Sequence, residues 1–238
     1  MNCQDKTMIV TGGSEGYGRG IAAALKSRGA QVWIVGRTLA KLEKTAAELG
    51  VNYVQADVGV AADWDKVFAA AGPVDVLVNN AGAGIRIAPL AEYTDAEIDR
   101  SIATNLAGVL YGCRRAGRIM AARKSGLIIN ISSVCAHYGW PGFVAYTAAK
   151  AGLDMASRCL YTELRPFNVR VTVVTPSWGA TNWDKAAHCD DPYDPELEAK
   201  KMQPAEMGGL IASIVEFPDH LMFPEVMVQP LAQEIIPF

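Results

Sequence analysis

Short apolar runs rich in Val and Ile alternate with stretches of helical spacing along most of this chain. Continuous apolar runs bounded by turn residues mark strands buried on both faces, as in a parallel sheet whose crossover helices cover both sides. Met8–Val10, Val32–Val35, Val51–Val54, Val74–Val78, Leu127–Ile131 and Arg170–Val174 are predicted strands. Helices are predicted between them at about 17–28, 39–49, 62–71, 95–123 and 144–164. Thr94 followed three residues later by Glu97 is a capping box that starts the fourth. Gly108, Gly112 and Gly117 weaken that helix, and close approach of another helix or the sheet is the expected compensation. From Trp178 to Pro204 the rhythm lapses, before a helix near 205–216 and a last strand near Val226–Val228. The pattern predicts an α/β fold, a doubly wound parallel sheet of about seven strands with helices on both faces, as a single domain over 1–238. Residues 178–204 are expected to form a substrate loop or lid after a central strand, at the edge where such sheets bind ligands.

Composition narrows the function classes. The formal charge is −3, with no basic stripe to neutralise a phosphate backbone, which argues against nucleic acid. The longest apolar runs fall short of a membrane span, and the N-terminus shows no basic region followed by an apolar stretch, so a cytoplasmic protein is expected. Cys3, Cys113, Cys135, Cys159 and Cys189 are odd in number and form no Cys-x-x-Cys pair, which fits reduced thiols. His137, His188 and His220 form no ligand-spaced cluster, and no metal is expected.

The first strand runs into Thr11-Gly12-Gly13-Ser14-Glu15-Gly16-Tyr17-Gly18. A glycine-rich turn between strand and helix either makes a tight turn only or lets the backbone approach a pyrophosphate beside the positive end of a helix dipole. Further along stand Asp57-Val58 after the third strand, Asn79-Asn80-Ala81-Gly82 after the fourth, and Asn105 within a helix. Ser133 lies thirteen residues before Tyr146, which lies four before Lys150. In this order, the set resembles the short-chain dehydrogenase/reductase family over nearly the whole chain.

The resemblance implies a Rossmann-like dinucleotide site formed by Gly12, Ser14, Glu15, Gly16, Tyr17, Gly18, Asp57, Val58, Asn80, Ala81, Gly82, Pro176, Trp178 and Thr181, together with Tyr146 and Lys150. Asp57-Val58 would contact the adenine, Lys150 the nicotinamide ribose and Thr181 the carboxamide. Asn105 would support a water-linked proton path. Assembly as a homodimer or homotetramer through the fourth and fifth helices is also implied.

The chemistry of Ser133, Tyr146 and Lys150 follows from the residues themselves. Ser133 follows a strand, so its hydroxyl falls at the C-terminal edge of the sheet, on the side of the glycine turn. Tyr146 and Lys150 share a helix face. A free phenol has a pKa of about 10, and nearby positive charge from the ammonium and an oxidised nicotinamide would lower it. Tyr146 then exchanges a proton with an alcohol or carbonyl oxygen, while Ser133 holds that oxygen as charge develops. Ser132, one residue earlier, should face the other way and be structural.

Cofactor choice turns on the end of the second strand. Gly36 stands where an NAD site generally has an acidic residue, and Arg37 follows it, suited to the 2′-phosphate of NADP, with Arg19 and Lys41 as helpers. Arg37 as a solvated helix-start residue is the plainer alternative, and Glu15 would repel a phosphate. NADP(H) is expected, NAD(H) being the alternative. The family's Pro-Gly after the sixth strand is here Pro176-Ser177, and Trp178 adds an indole. Trp140, Phe143, Trp178 and Trp183 line an apolar substrate cleft or serve as core and lid packing. Lys185 and His188 meet an anionic substrate or lie in a solvated loop. The expected activity is hydride transfer between NADP(H) and a small alcohol, ketone or aldehyde. A catalytically silent dinucleotide sensor or scaffold is the alternative from another class, and epimerase or dehydratase activity is disfavoured by the glycine spacing and the chain length.

Overall fold

The computed structural model describes residues 1–183 and 194–234. Seven parallel strands form one sheet in the order β3-β2-β1-β4-β5-β6-β7. They are β1 Thr7–Thr11, β2 Gln31–Gly36, β3 Asn52–Gln55, β4 Val76–Asn79, β5 Gly126–Ile131, β6 Val169–Pro176 and β7 Glu225–Val228. The helices are α1 Gly16–Ser27, α2 Leu39–Leu49, α3 Asp63–Ala71, α4 Asp95–Ile102, α5 Gly108–Arg123, α6 Val144–Leu164, α7 Pro195–Lys200 and α8 Pro204–Glu216. The strand order reverses between β1 and β4, which opens a crevice at their C-terminal ends.

Successive side chains of each strand face opposite sides of the sheet, and the core splits accordingly. Met8, Val10, Ile34, Val78 and Ile129 pack against Ile21 and Leu25 of α1, Leu42 of α2 and Met207 and Ile211 of α8. Ile9, Val35, Leu77 and Ile128 pack against Trp64 of α3, Val109 and Met120 of α5 and Leu153 of α6. Both faces of the sheet are thus covered, as the Val- and Ile-rich runs predict.

The Thr94–Glu97 capping box is present, with Thr94 accepting from the Glu97 amide at 3.3 Å and the Thr94 amide donating to the Glu97 carboxylate at 2.8 Å. The single helix expected over 95–123 is two, joined by a π-helical turn over Ala103–Ala107. A π turn inserts one residue and rotates the downstream helix, and here it carries Asn105 into the interior. The three glycines meet close neighbours: Gly108 faces the Val58 carbonyl, Gly112 the Trp64 ring and Gly117 Leu164.

Residues 195–200, expected within an irregular loop, form a short helix. Asp194 caps α7, its carboxylate accepting from the amides of Glu196 and Leu197 at 2.9 and 3.2 Å, with Pro195 in the first turn. This Asp-Pro-Glu start signal lies inside a cluster that otherwise resembles a loop. Gly179 pairs with Met202, the Ala180 amide donating to the Met202 carbonyl at 3.0 Å, so both ends of the excursion are tied beside the glycine turn.

Candidate active site

The end of β1 and the end of β4 are joined through Thr11. Its hydroxyl accepts from the amides of Asn80 and Ala81 at 3.0 and 2.9 Å, and the Asn80 side-chain amide donates to the Thr11 carbonyl at 2.9 Å. Gly12 and Gly16 have φ of +65° and +51°, where a side chain would be strained. A Cβ on Gly18 would run into the Gly12 carbonyl, so the helix start sits directly on the turn. Glu15 precedes α1 without capping it by its side chain, which leaves the helix N-terminus open to an anion. The Ser14 carbonyl accepts from the Thr45 hydroxyl at 3.0 Å, and Tyr17 packs against Gly179 of the excursion after β6.

Asn105, Ser133, Tyr146 and Lys150 come together at the same edge. Asn105 is 0% exposed and exchanges two bonds with the backbone of Ala83, each 3.1 Å. Gly82 lies against its side-chain oxygen. Ser133 follows β5 and starts a short 3-10 turn, where its hydroxyl accepts from the Cys135 amide at 3.2 Å. Tyr146 and Lys150 are 7% and 3% exposed, and Nζ lies 5.7 Å from the centre of the phenol ring. Lys150 donates to the Ile131 carbonyl at 2.8 Å, which fastens α6 to the end of β5.

Desolvation dominates the electrostatics of the two groups. Burial pushes the Tyr146 hydroxyl well above its ordinary range, with Cys135 adding to the rise, while Ser133 and Trp183 pull weakly the other way. Burial also lowers the Lys150 ammonium to about 8, opposed by Asp154 and Cys135. The field of Lys150 therefore does not offset desolvation of the phenol, and any lowering needs further positive charge at the site.

An aromatic wall flanks Tyr146. The Trp183 ring centre lies 5.7 Å from that of Tyr146, and Trp183 stacks on Phe143 at 6.1 Å and 9°. Trp140 meets Phe143 edge-on at 6.4 Å, and Ile85 and Tyr93 complete the cluster. Trp178 stands apart from it and is 42% exposed, its amide donating to Gln233 at 3.1 Å. Pro176 ends β6 opposite Val228. Thr181 lies against Gly16, and its hydroxyl accepts from the Trp183 amide at 3.2 Å. Lys185, His188 and Cys189 lie outside the described residues.

At the far end of the crevice, the Arg37 side chain is exposed and forms no ion pair among the described residues. The two expected helpers are engaged, Arg19 with Glu48 at 3.0 Å and Lys41 with Glu15 at 2.9 Å. Asn182 also donates to Glu15 at 3.1 Å, which ties that carboxylate to the excursion after β6. Asp57 accepts from the Gly59 amide at 2.9 Å, and the Val58 carbonyl accepts from the Trp64 indole at 2.9 Å, which shapes the loop after β3.

Some polar contacts near the site carry no signal in the sequence. Asn79 donates to Asn130 at 2.9 Å and Asn130 to Ser157 at 2.9 Å, a chain that crosses from β4 through β5 to α6. His137, Asp154 and Glu225 converge from the turn after β5, from α6 and from β7, although His137 has no ligand-spaced partner along the chain. Only strand pairing brings β7 beside β6 and so completes this group. Cys3, Cys113, Cys135 and Cys159 are free thiols. No helix among the described residues is long and apolar enough to cross a membrane.

Residues 6–191 match the family model described as short chain dehydrogenase. The human L-xylulose reductase is 35% identical over 190 residues, 78% of this chain and 76% of that one. Carbonyl reductase [NADPH] 2 of Sus scrofa is 34% identical over 205 residues, covering 84% and 81%. Among solved structures, the closed form of serine dehydrogenase complexed with NADP+ superposes with a TM-score of 0.90 at 26% identity, over 97% of both chains. A metagenomic short-chain oxidoreductase in complex with NADP gives 0.82 at 31% identity, over 98% of this chain and 100% of that one.

Proposed function

The chain belongs to the short-chain dehydrogenase family, and from that premise we propose that it interconverts small ketones or aldehydes and their alcohols with NADP(H), Tyr146 serving as general acid and base. The observation that carries this reading is the burial of a phenol and an ammonium, Tyr146 and Lys150, at the sheet edge that also bears Ser133 and the glycine turn. The residues present fit a dinucleotide. Gly12 and Gly16 allow a backbone cradle, Gly18 admits no side chain, and the N-terminus of α1 is open to a pyrophosphate. When bound, the cofactor supplies or accepts the hydride.

The chain's own residues do the remainder. The Ser133 hydroxyl donates to the substrate oxygen and steadies it as negative charge grows. In reduction the Tyr146 phenol donates its proton to that oxygen, and in oxidation the phenolate takes it back. One Lys150 proton goes to the Ile131 carbonyl, which leaves two for the ribose and the phenol. Asn105, fixed by Ala83, holds the π turn against the site and supports a water-linked proton path. Trp183 and Phe143 exclude water and favour a substrate with an apolar face.

Relatives named as reductases of L-xylulose and of carbonyls support carbonyl reduction. NADPH in the name of one of those relatives, NADP bound in two similar solved structures, and an Arg37 without an ion pair among the described residues support NADP(H) over NAD(H). Exposed Leu110 on α5 and Met155 on α6 support assembly as a homodimer or homotetramer through those helices. Initial rates with NADPH and with NADH, followed by nicotinamide absorbance against L-xylulose and 2,3-butanedione, test the reading. Faster turnover with NADPH is expected. A strong NADH preference overturns the cofactor assignment, and tight cofactor binding without turnover of any carbonyl or alcohol favours a sensor.

A further inference from the structure

Three side chains able to ligate a metal meet where the pairing of β7 with β6 brings distant parts of the chain together. His137 comes from the turn after β5, Asp154 from α6 and Glu225 from the start of β7. Their ligand atoms lie within 4.8 Å of one another. His137 Nε2 is 3.4 Å from Asp154 Oδ2 and 2.7 Å from Glu225 Oε1.

Proximity of acidic groups alone means little, and the informative member is Asp154. It is 7% exposed, and neither carboxylate oxygen has a hydrogen-bond partner of ordinary geometry. A buried carboxylate is costly to desolvate unless it is paired or coordinates a metal. The donors around it are spent elsewhere. Nε2 carries at most one proton, and Glu225 at 2.7 Å is the better placed acceptor. Lys150, one turn earlier on the same helix, gives its ammonium to the Ile131 carbonyl at 2.8 Å. The Ser132 hydroxyl beside Asp154 is buried and likewise lacks a well-formed bond. An orphaned carboxylate therefore faces a ring nitrogen and a second carboxylate.

The spacing suits an ion. A tetrahedral zinc with bonds of about 2.0–2.2 Å needs ligand atoms roughly 3.3–3.5 Å apart. The separation of 3.4 Å meets this, and the one of 2.7 Å opens once a metal displaces the ring proton shared with Glu225. One imidazole with two carboxylates favours an ion such as Zn2+ over Mg2+ or Ca2+, which take oxygen shells. The side chains of His137 and Glu225 are each 28% exposed, which gives an ion a way in over the buried Asp154. The other polar neighbours fit an outer shell: Thr175 donates to Glu225 Oε1 at 3.1 Å, and Arg158 stands 3.6 Å from Oε2, the oxygen not bonded to His137. Arg158 is 61% exposed, so solvent screens its charge.

We propose that His137, Asp154 and Glu225 form a site for a zinc-class divalent cation that fastens the edge strand β7 to α6 and to the turn after β5. The site is separate from the proton chemistry read from Tyr146, since none of the three side chains has a part in it. His137 lies four residues after Ser133 and Asp154 four after Lys150, so an ion held here braces both segments that carry the reacting groups.

The test uses the full chain, stripped with EDTA and titrated with Zn2+ by calorimetry. One ion per chain is expected, with a micromolar or tighter Kd that millimolar Mg2+ leaves unchanged. Tm should rise by about 5 °C or more with free Zn2+ about a hundredfold above Kd. Co2+ in its place should give the visible absorption of nitrogen and oxygen ligation without the near-ultraviolet band of a thiolate, which separates this site from the free cysteines. His137→Asn, Asp154→Asn and Glu225→Gln should each weaken binding by more than about a hundredfold, since loss of an outer partner alone costs about 10- to 100-fold. His220→Asn and Cys159→Ser should bind as the wild type does. Should the buried Asp154→Asn fail to fold, the two partly exposed positions still decide the matter.

Absence of saturable Zn2+ binding, binding that survives the His137 and Glu225 substitutions, or a thiolate band overturns the inference. Binding in the millimolar range alone would mark an adventitious ion only and overturn it equally. Displacement by millimolar Mg2+ would remove the zinc class, and a wild-type Tm unmoved by saturating Zn2+ would remove the clamp.

Discussion

The Asn80 amide donates to the Thr11 hydroxyl at 3.0 Å, and the Asn80 side chain returns a bond to the Thr11 carbonyl at 2.9 Å. The two strand ends that border the cofactor crevice are thereby locked together. Thr11→Val keeps the volume but leaves the amides of Asn80 and Ala81 without their acceptor. Unpaired buried donors cost about 1–3 kcal/mol, so calorimetry should show Tm lowered by about 3 to 10 °C. An unchanged Tm would show that the crevice does not depend on this bond.

At Gly18 a methyl group meets the Gly12 carbonyl oxygen, which belongs to backbone and cannot swing away. Gly18→Ala should therefore destabilise the fold by about 1–3 kcal/mol and open the turn from the helix. Dinucleotide affinity, read by quenching of protein fluorescence on NADPH addition, is expected to fall more than tenfold. Wild-type affinity in a stable Gly18→Ala protein would sink the pyrophosphate cradle.

Tyr146→Phe removes one oxygen from a packed aromatic wall and leaves Trp183 and Phe143 their ring contact. Turnover should drop by about 10²- to 10⁴-fold, the range for loss of a general acid or base. Circular dichroism and NADPH binding should stay near wild type. Turnover within a few-fold of wild type would reject the phenol as the proton carrier.

Arg37→Ala deletes an exposed guanidinium with no ion pair of its own among the described residues, so little stability should be lost. A charge-assisted bond to a 2′-phosphate is worth roughly 1.5–3 kcal/mol, and KM for NADPH should rise by about ten- to a hundredfold. KM for NADH should not change. Equal effects on the two cofactors would assign Arg37 to the helix start alone.

Glu97 is held down to about 2, first by Arg86 and then by the Thr94 amide and hydroxyl. A carboxyl depressed on folding contributes stability above its unfolded value of 4.5, and this contribution is lost as pH falls toward about 2. The urea midpoint of Glu97→Gln should lie below that of wild type near neutral pH, and the gap should close as the solution is acidified through that window. The gap should be modest, since the Arg86–Glu97 pair is partly exposed. A gap that widens in acid would reverse the sign and exclude the capping box as its source.

The sheet was legible because each predicted strand is a short stretch dominated by Val, Ile and Leu between turn signals, and every one is present, with ends moved by a residue or two. The expected single helix over 95–123 failed at a π turn, since the extra residue at Ala103–Ala107 is set by Asn105 and Ala83 meeting across the fold. The short helix at Pro195 was missed because its Asp cap and its proline are also loop signals. The spacing of Ser133, Tyr146 and Lys150 pointed to one edge of the sheet. It did not reveal that the ammonium binds the Ile131 carbonyl or that burial raises the phenol.

What the chain determined by itself is everything carried by period and by local stereochemistry: strand and helix order, the glycine turn, and the residue types available for proton transfer. Tertiary structure alone decided the desolvation of those groups and their long-range partners, such as the Ile131 carbonyl on Lys150 and Glu225 against His137. The physical reason is that desolvation and Coulomb interaction depend on distance in space, and His137 and Glu225, 88 positions apart along the chain, meet only after β7 pairs with β6.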